Sequence, residues 1–190
     1  MRRLAEAHDL LLAADGAAHR LIEAGLKPDL VCGDFDSVQM EAARAALPTS
    51  EFIPTPDQDR ADLEKAVQVA RERGATSITI TGATGGRIDH TLANFALLLR
   101  YHREIPLCIR EERASVWAIS GAHSLAAAPG DTISLLSLDG LARVTIRGVQ
   151  WPLENYPLPI GTMGISNVAT EERVHVLAQD GALLLCHLPH

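Results

Sequence analysis

The stretch "PDLVCGDFDSVQMEAARAAL", residues 28–47, moves from one kind of local structure to another within a few positions. "PDLVCG" reads as a buried strand that stops at Gly33, and "VQMEAARAAL" reads as the helix that follows. Between them, Asp34 and Asp36 flank Phe35, and Ser37 closes the turn. In an extended chain, residues two apart face the same way. The expectation is therefore that Asp34 and Asp36 aim at one point while Phe35 turns into the core. Two like charges that close repel and are costly to desolvate unless a cation sits between them. A strand that ends in paired carboxylates and hands over to a helix is the unit around which the fold is read.

Outward from this unit, the first hundred residues repeat the alternation. "DLLLAA" (9–14) is a short apolar run ending at Asp15-Gly16, and "AAHRLIEAG" continues at helical period as far as Gly25, a natural helix terminator. After "EFIPTP", the run "DQDRADLEKAVQVARERG" reads as a helix that Asp59 could cap and that ends near Gly74. "TSITITG" (76–82) is β-branched and strand-like, and "GGRIDHTLANFALLLRY" opens on glycines and continues as a helix. Strands alternating with helices predict a mostly parallel sheet covered on both faces. From about residue 105 the pattern changes. "PLCIR", "SVWAIS", "DTISLLSL", "ARVTIRG", "ERVHVLA" and "ALLLCHL" are short strand-like runs, separated by turn signals such as Asp139-Gly140 and Asp180-Gly181. The predicted organisation is an α/β N-terminal domain over 1–108, followed by an all-β sandwich over 109–190.

Bulk properties exclude several function classes. At 190 residues the chain can bury one large core or two small ones, and 47% hydrophobic residues fit a globular protein. No apolar run approaches a membrane span, and "MRRLAEAHD" makes a poor signal peptide because Glu6 and Asp9 follow its arginines. A net charge of −7 argues against nucleic acid as a partner. It leaves phosphate ligands open, because carboxylates bind phosphates through metal ions. Cys32, Cys108 and Cys186 are scattered through apolar stretches and read as buried thiols in a reducing cytoplasm.

The carboxylates of the first half fall at strand ends: Asp15 after the first strand, Asp34 and Asp36 after the second, and Asp57, Asp59 and Asp62 before a helix. In open parallel sheets this edge forms the ligand crevice. Carboxylates gathered there need a divalent metal, and oxygen-only ligands favour a hard ion such as Mg²⁺. The glycines of "DGA", "CGD" and "TGATGGR" let phosphate oxygens approach the backbone, and helix N-termini favour anions. Each signal has a structural alternative: a helix cap for Asp59 and Asp62, tight turns for the glycines, a helical histidine for His90, and a core aromatic for Trp151. Their combination indicates a metal–phosphate site. An aspartyl-nucleophile phosphatase would also carry two Asp after a strand, but it needs a lysine to steady the phosphoryl group. The chain's two lysines, Lys27 and Lys65, are not clearly placed at a strand end.

The ordered motifs "ADGAAHRLIEAGLKPDLVCGDFDSV" (14–38), "PDQDRADLEKAV" (56–67), "TGATGGRIDHTLANFALLL" (81–99) and "GVQWPL…GTMGISN" (148–167) together resemble the thiamine pyrophosphokinase family along nearly the whole chain. The resemblance implies an α/β catalytic domain, a C-terminal β-sandwich that binds thiamine and dimerises, and a homodimer with shared active sites. It implies ATP as co-substrate with Mg²⁺, and transfer of pyrophosphate from ATP to the thiamine hydroxyl, giving thiamine diphosphate and AMP. Carried over residue by residue, it assigns Asp34, Asp36 and Asp62 to catalysis and to the metal, with Asp59 in support. It assigns Asp15, Gly16, Gly33, Ser37, Gly85, Gly86, Arg87, Asp89, His90 and Asn94 to the nucleotide, and Gln58, Trp151, Ser166 and Asn167 to thiamine. One departure is visible. Family members usually begin with a further strand ending in a glycine that touches the nucleotide, whereas the given sequence opens on "MRRLAEAH", a short helical stretch. Two other readings stay open on sequence. One is a pyrophosphokinase acting on another alcohol such as a pterin, which would not need the "W…SN" set. The other is a non-catalytic thiamine- or nucleotide-binding regulator.

Overall fold

The computed structural model describes residues 2–35 and 40–190, so Asp36 and Ser37 lie outside the described residues. The chain forms two compact units, Met1–Thr76 and Ser77–His190.

The first unit runs α1 (Arg2–Ala5), β1 (Leu12–Ala14), α2 (Ala17–Glu23), β2 (Leu30–Gly33), α3 (Met40–Ala46), β3 (Glu51–Pro54) and α4 (Asp62–Glu72). Its strands make a parallel sheet in the order β1-β2-β3, with Ala13 opposite Val31 and Val31 opposite Phe52. Alternation along the strands divides their side chains between two layers. Ala13, Val31 and Phe52 pack with Ala18 and Leu21 of α2 and with Leu47. Leu12, Ala14, Leu30, Cys32 and Ile53 pack with Ala66 and Val69 of α4. Both well-formed helices stop where the sequence expected, at Gly25 (φ +67°) and Gly74 (φ +83°), in the left-handed region that glycine adopts without a Cβ penalty. Helix α4, however, starts at Asp62 with Ala61 as its N-cap residue and no side-chain cap, so Asp59 does not cap it.

The second unit runs β4 (Ile78–Ile80), α5 (Ile88–Tyr101), β5 (Leu107–Arg110), β6 (Ser115–Ala126), β7 (Thr132–Ser137), β8 (Arg143–Arg147), β9 (Leu153–Pro157), β10 (Asn167–Val168) and β11 (Arg173–Leu188). Strands β4 and β5 are parallel and joined through α5, which continues the α/β pattern. β5 then pairs antiparallel with β6, so both strands belong to the same hydrogen-bonded sheet as the β-rich part, ordered β10-β7-β11-β6-β5-β4. The change in sequence pattern near residue 105 therefore falls inside the second compact unit, while the unit boundary itself lies at 76/77.

Its core is built by alternate residues of β7, β8 and β11, among them Ile133, Leu135, Val144, Ile146, Val174, Val176, Leu183 and Leu185. Two features depart from the sequence reading. "ERVHVLA" and "ALLLCHL" are one strand, because Asp180-Gly181 is not a hairpin turn. The pairing with β6 slips between Ala178 and Leu183, and Asp180 sits at φ +62°, the mark of a bulge that lets one strand serve two parts of a sheet. The edge strand β9 was not expected, since "LENYP" buries no alternating face.

Candidate active site

At the carboxyl ends of the first sheet, backbone bonds hold the strand exits side by side. Asp15 N–H donates to the Cys32 carbonyl and Thr55 N–H to the Gly33 carbonyl, both at 2.7 Å. The Asp15 side chain lies over Gly33, where a Cβ would come within 2.8 Å of the Asp15 Cβ and 3.2 Å of its Oδ1. Glycine is thus required at position 33 by the neighbouring carboxylate. Gly16, by contrast, adopts an ordinary helical φ of −58° with open space around it.

The described start of the D-x-D segment is not extended as expected. The strand ends at Gly33 and Phe35 has φ +60°, so the chain leaves the extended region before Asp36, and the expected pairing of Asp34 with Asp36 lies outside the described residues. Phe35 nevertheless reaches the core side. Its ring meets Phe52 edge-on at 6.0 Å, and the Arg44 guanidinium lies 4.4 Å from the Phe52 ring.

Before α4, Asp57 Oδ1 accepts from the Asp59 N–H at 2.8 Å, and the Asp57 carboxylate also pairs with Arg60. The backbone bond from Asp59, aided by Arg60, holds the Asp57 carboxyl below the usual carboxylate range. Asp62 opens the helix half-exposed, and Lys65 Nζ donates to its Oδ1 at 3.2 Å. Lys65 itself is only 5% exposed. Burial raises the Cys32 thiol to about 11, the Asp62 and Asp15 carboxylates push it the same way, and the Lys65 ammonium opposes them. Asp15, Asp62 and Lys65 therefore share one electrostatic environment around the end of β2. In the sequence, Lys65 has no clear place at a strand end and no role in the site. The available signal was its three-residue spacing from Asp62 on a helix face shared with the buried Ala66, Val69 and Ala70. Among the described residues, no three carboxylate, His or Cys groups converge on one point. Gln58 and Asp59 lie exposed on the loop before α4.

In the second unit, the loop after β4 carries Gly82 (φ +69°) and Gly85 (φ +83°). Asn94 of α5 donates its side-chain amide to the Ala83 carbonyl at 2.8 Å, so that group anchors the loop. Arg87 and Asp89 form a two-bond fork, Nη2–Oδ2 at 2.5 Å and Nε–Oδ1 at 3.1 Å, and this drives the Asp89 carboxyl down to about 2. Asp89 also accepts from the His90 N–H. Both members of the pair are mostly exposed, a setting in which an ion pair contributes little and yields readily to a competing anion.

Trp151, Ser166 and Asn167 come together around a pocket of about 340 Å³, floored by Ile133, Leu135 and Ile146 and walled by Met163 and Ile165. That is the scale of a small-molecule site. Trp151 is 56% exposed and does not close the core. Asn167 holds it in place: Asn167 Oδ1 accepts from the Trp151 N–H at 3.1 Å, and Nδ2 donates to the Trp151 carbonyl at 2.7 Å. The amide of Asn167 is thus a clamp on the Trp151 backbone. Ser166 sits at φ +63° with its N–H on Ser134 Oγ. Gly164 passes so close to β7 that a Cβ would lie 2.3 Å from the Leu135 carbonyl oxygen. The pocket-lining Met163 and Ile165 lie inside the "GTMGISN" stretch, but their residue types alone do not mark them as pocket walls. All three cysteines are free, and no described helix is long and apolar enough to cross a membrane.

Comparison with known proteins gives a consistent result. Residues 1–109 match the family described as thiamin pyrophosphokinase, catalytic domain, and residues 122–183 match the thiamin pyrophosphokinase vitamin B1 binding domain. The chain is 29% identical to "Thiamine pyrophosphokinase 1" of Arabidopsis thaliana, over 88% of this chain and 73% of that protein. The crystal structure of thiamine pyrophosphokinase from Bacillus subtilis superimposes with a TM-score of 0.86 at 25% identity, covering 98% of this chain and 92% of the other. A thiamin pyrophosphokinase family protein from Enterococcus faecalis gives 0.86 at 27%, covering 97% and 91%. With the catalytic-domain match spanning more than half its length and the vitamin-binding match following in order, this chain belongs to the thiamine pyrophosphokinase family.

Proposed function

We propose that the protein is an ATP-dependent diphosphotransferase that moves pyrophosphate from ATP to the hydroxyl of thiamine, releasing AMP. The observation that carries this reading is the pocket bounded by Trp151, Ser166 and Asn167 in the part of the chain that matches the vitamin B1 binding domain. A pterin-directed enzyme would have no use for it.

The chemistry divides between the two halves of the sequence, 1–108 as the catalytic domain and 109–190 as the thiamine-binding and dimerisation domain. Asp34, Asp36 and Asp62, with Asp59 in support, are the proposed ligands of Mg²⁺. Their donors are all carboxylate oxygens, which suits a hard cation, and Mg²⁺ is characteristically held by one or two carboxylates plus substrate phosphates and waters rather than by a closed protein cage. When bound, the ion neutralises phosphate charge. The chain's own contribution is positioning. Asp15, Gly16, Gly33 and Ser37 are assigned to the first nucleotide loop, and the segment from Gly85 through Arg87, Asp89, His90 and Asn94 is assigned to the nucleotide from the other motif. Arg87 exchanges the Asp89 carboxylate for a phosphate, a fork-to-oxyanion contact that lysine would not reproduce. Lys65 offsets the carboxylate charge beside Asp62. Thiamine stacks its cationic ring on the Trp151 indole, with Gln58 and Ser166 supplying polar contacts. Transfer of this kind draws mainly on alignment and charge neutralisation.

The protein is proposed to work in the cytoplasm as a homodimer whose sites are shared between subunits. Exposed apolar side chains in the C-terminal half support a second copy: Leu141 and Ile160 are 62% and 67% exposed. Incubation with ATP, Mg²⁺ and thiamine should yield AMP and thiamine diphosphate in equal amounts. Asp34→Asn should abolish that turnover while leaving the circular dichroism spectrum and Tm unchanged. AMP formation that does not depend on thiamine, or full turnover by Asp34→Asn, would contradict the assignment.

A further inference from the structure

We propose that Glu111 is a positioning residue for the nucleotide loop, a built-in anion that occupies the loop's own phosphate-type cradle and thereby fixes where ATP is gripped. The proposal rests on the reading of residues 85–94 as nucleotide-binding.

Three consecutive backbone N–H groups at the start of this loop converge on one carboxylate. Ala83 N–H donates to Glu111 Oε1 at 2.9 Å, Thr84 N–H to the same oxygen at 3.2 Å, and Gly82 N–H to Oε2 at 3.3 Å. Successive N–H groups curled around a point form a nest, the backbone device that elsewhere captures phosphate. Here the acceptor comes from the protein. Glu111 follows β5 directly, and its own N–H is tied to the Ala114 carbonyl at 2.8 Å across the turn into β6, so its backbone is fixed by the sheet. On the opposite side of the loop, Asn94 holds the Ala83 carbonyl. The loop is thus clamped through both its donors and its acceptor.

A clamp is needed because of the sequence. Three of the six residues from Gly82 to Arg87 are glycines, and two of them adopt positive φ. Such a chain is permissive and would otherwise sample many conformations at a large entropic cost. With the 82–84 N–H groups filled, phosphate contact passes to the backbone of Gly85 and Gly86 and to Arg87, immediately ahead of α5. Removing the carboxylate leaves three donors facing one another without an acceptor, and the loop relaxes through its glycines. The consequence is a loss of ATP affinity with thiamine affinity intact.

The test compares Glu111→Ala, Glu111→Gln and the neighbouring exposed Glu112→Ala in the full-length protein, with Arg87→Ala as a reference for the loop. Glu111→Ala should raise the KM for ATP about tenfold, the scale of losing a charge-assisted hydrogen-bond set. The KM for thiamine should stay within twofold, and Glu112→Ala should behave as wild type. Added acetate or formate should lower the ATP KM of Glu111→Ala by refilling the nest, while chloride at equal ionic strength should not. A general packing defect would show no such rescue. Glu111→Gln keeps the size but loses the charge, and it should give a smaller rise in ATP KM. Unchanged ATP KM in Glu111→Ala alongside a raised value in Arg87→Ala would overturn the proposal alone. Unchanged values in both would overturn the reading of the loop itself. A fall in ATP KM on removing Glu111 would overturn it by showing that the carboxylate competes with phosphate, and failure of both Glu111 variants to fold would overturn it in favour of a purely structural role.

Discussion

Single residues in this protein are explained by what lies directly against them, and two positions show how far sequence alone carries. Gly33 looks from its motif like a place where phosphate meets backbone, but the contact that demands glycine is the Asp15 side chain, with a would-be Cβ only 2.8 Å from the Asp15 Cβ. Gly33→Ala should displace that carboxylate, cost about 1–3 kcal/mol of stability through overpacking, and raise the KM for ATP. A variant with native Tm and native ATP kinetics would contradict this. Trp151 could not be separated from a core tryptophan by reading the sequence, because burial depends on what folds over it. At 56% exposure its removal should change stability by less than about 1 kcal/mol. Thiamine binding should nevertheless weaken by roughly 1–3 kcal/mol, the scale of one aromatic stack plus a cation–π contact. Titration of Trp151→Ala with thiamine, alongside a thermal melt, checks both halves of the expectation. Glu111 was illegible for a different reason: it acts through three turn N–H groups that only the folded chain brings close.

At the scale of elements, the alternation of strands and helices in the first half and the shift to β-structure in the second were plain, since both are carried by hydrophobic periodicity. What periodicity could not distinguish was a turn from a bulge. Asp180-Gly181 has hairpin chemistry, yet β11 runs straight through it, because its two halves have separate partners to satisfy: β8 and β6 before the bulge, β7 and β6 after it. The far end of β11 is fixed by Asp131, a carboxylate 4% exposed just before β7. Its oxygens accept from the Ala128 N–H at 2.8 Å, the His190 N–H at 2.9 Å and the His187 ring at 2.7 Å. Burial alone would raise this carboxyl, but the His187 bond and the two backbone donors outweigh it and bring the group below its ordinary value. A carboxyl lowered in the folded state contributes stability that is fully present above the ordinary carboxylate range and is lost as pH falls through the folded value. Asp131→Asn leaves at least one donor without its acceptor and should cost about 1–3 kcal/mol near neutrality. The deficit should shrink as pH falls through and below the ordinary carboxylate range, because the unfolded wild-type chain takes up the proton there before the folded carboxyl does. Urea unfolding of both proteins at pH 7 and pH 3 measures it, and an equal deficit at the two values would exclude the carboxylate as its source.

For the whole molecule, the proposed functional residues are distributed over both compact units: Asp15, Asp34, Asp59 and Asp62 in the first, and the glycine loop and the Trp151 pocket in the second. The sequence motifs propose each group but not how the groups combine, since nothing in the spacing of "GDFDS" and "GVQWPL" distinguishes a site built within one chain from a site completed by another. Subunit mixing answers that question. Asp34→Asn removes a proposed metal ligand and Trp151→Ala removes the proposed thiamine platform, so each parent alone should be strongly impaired when thiamine is held below the wild-type KM. If a site draws its carboxylates from one subunit and its tryptophan from the other, a hybrid dimer contains one doubly damaged site and one intact site. Random re-pairing makes half the dimers hybrids, so the mixture should recover about a quarter of wild-type activity. Sites contained within single subunits would instead leave the mixture no more active than its parents. Size-exclusion chromatography with light scattering, and exchange verified with two distinguishable tags, ensure that hybrids have formed before the activity is read. Recovery near one quarter then requires a dimer with shared sites, and its absence after verified exchange requires that each subunit carry its own.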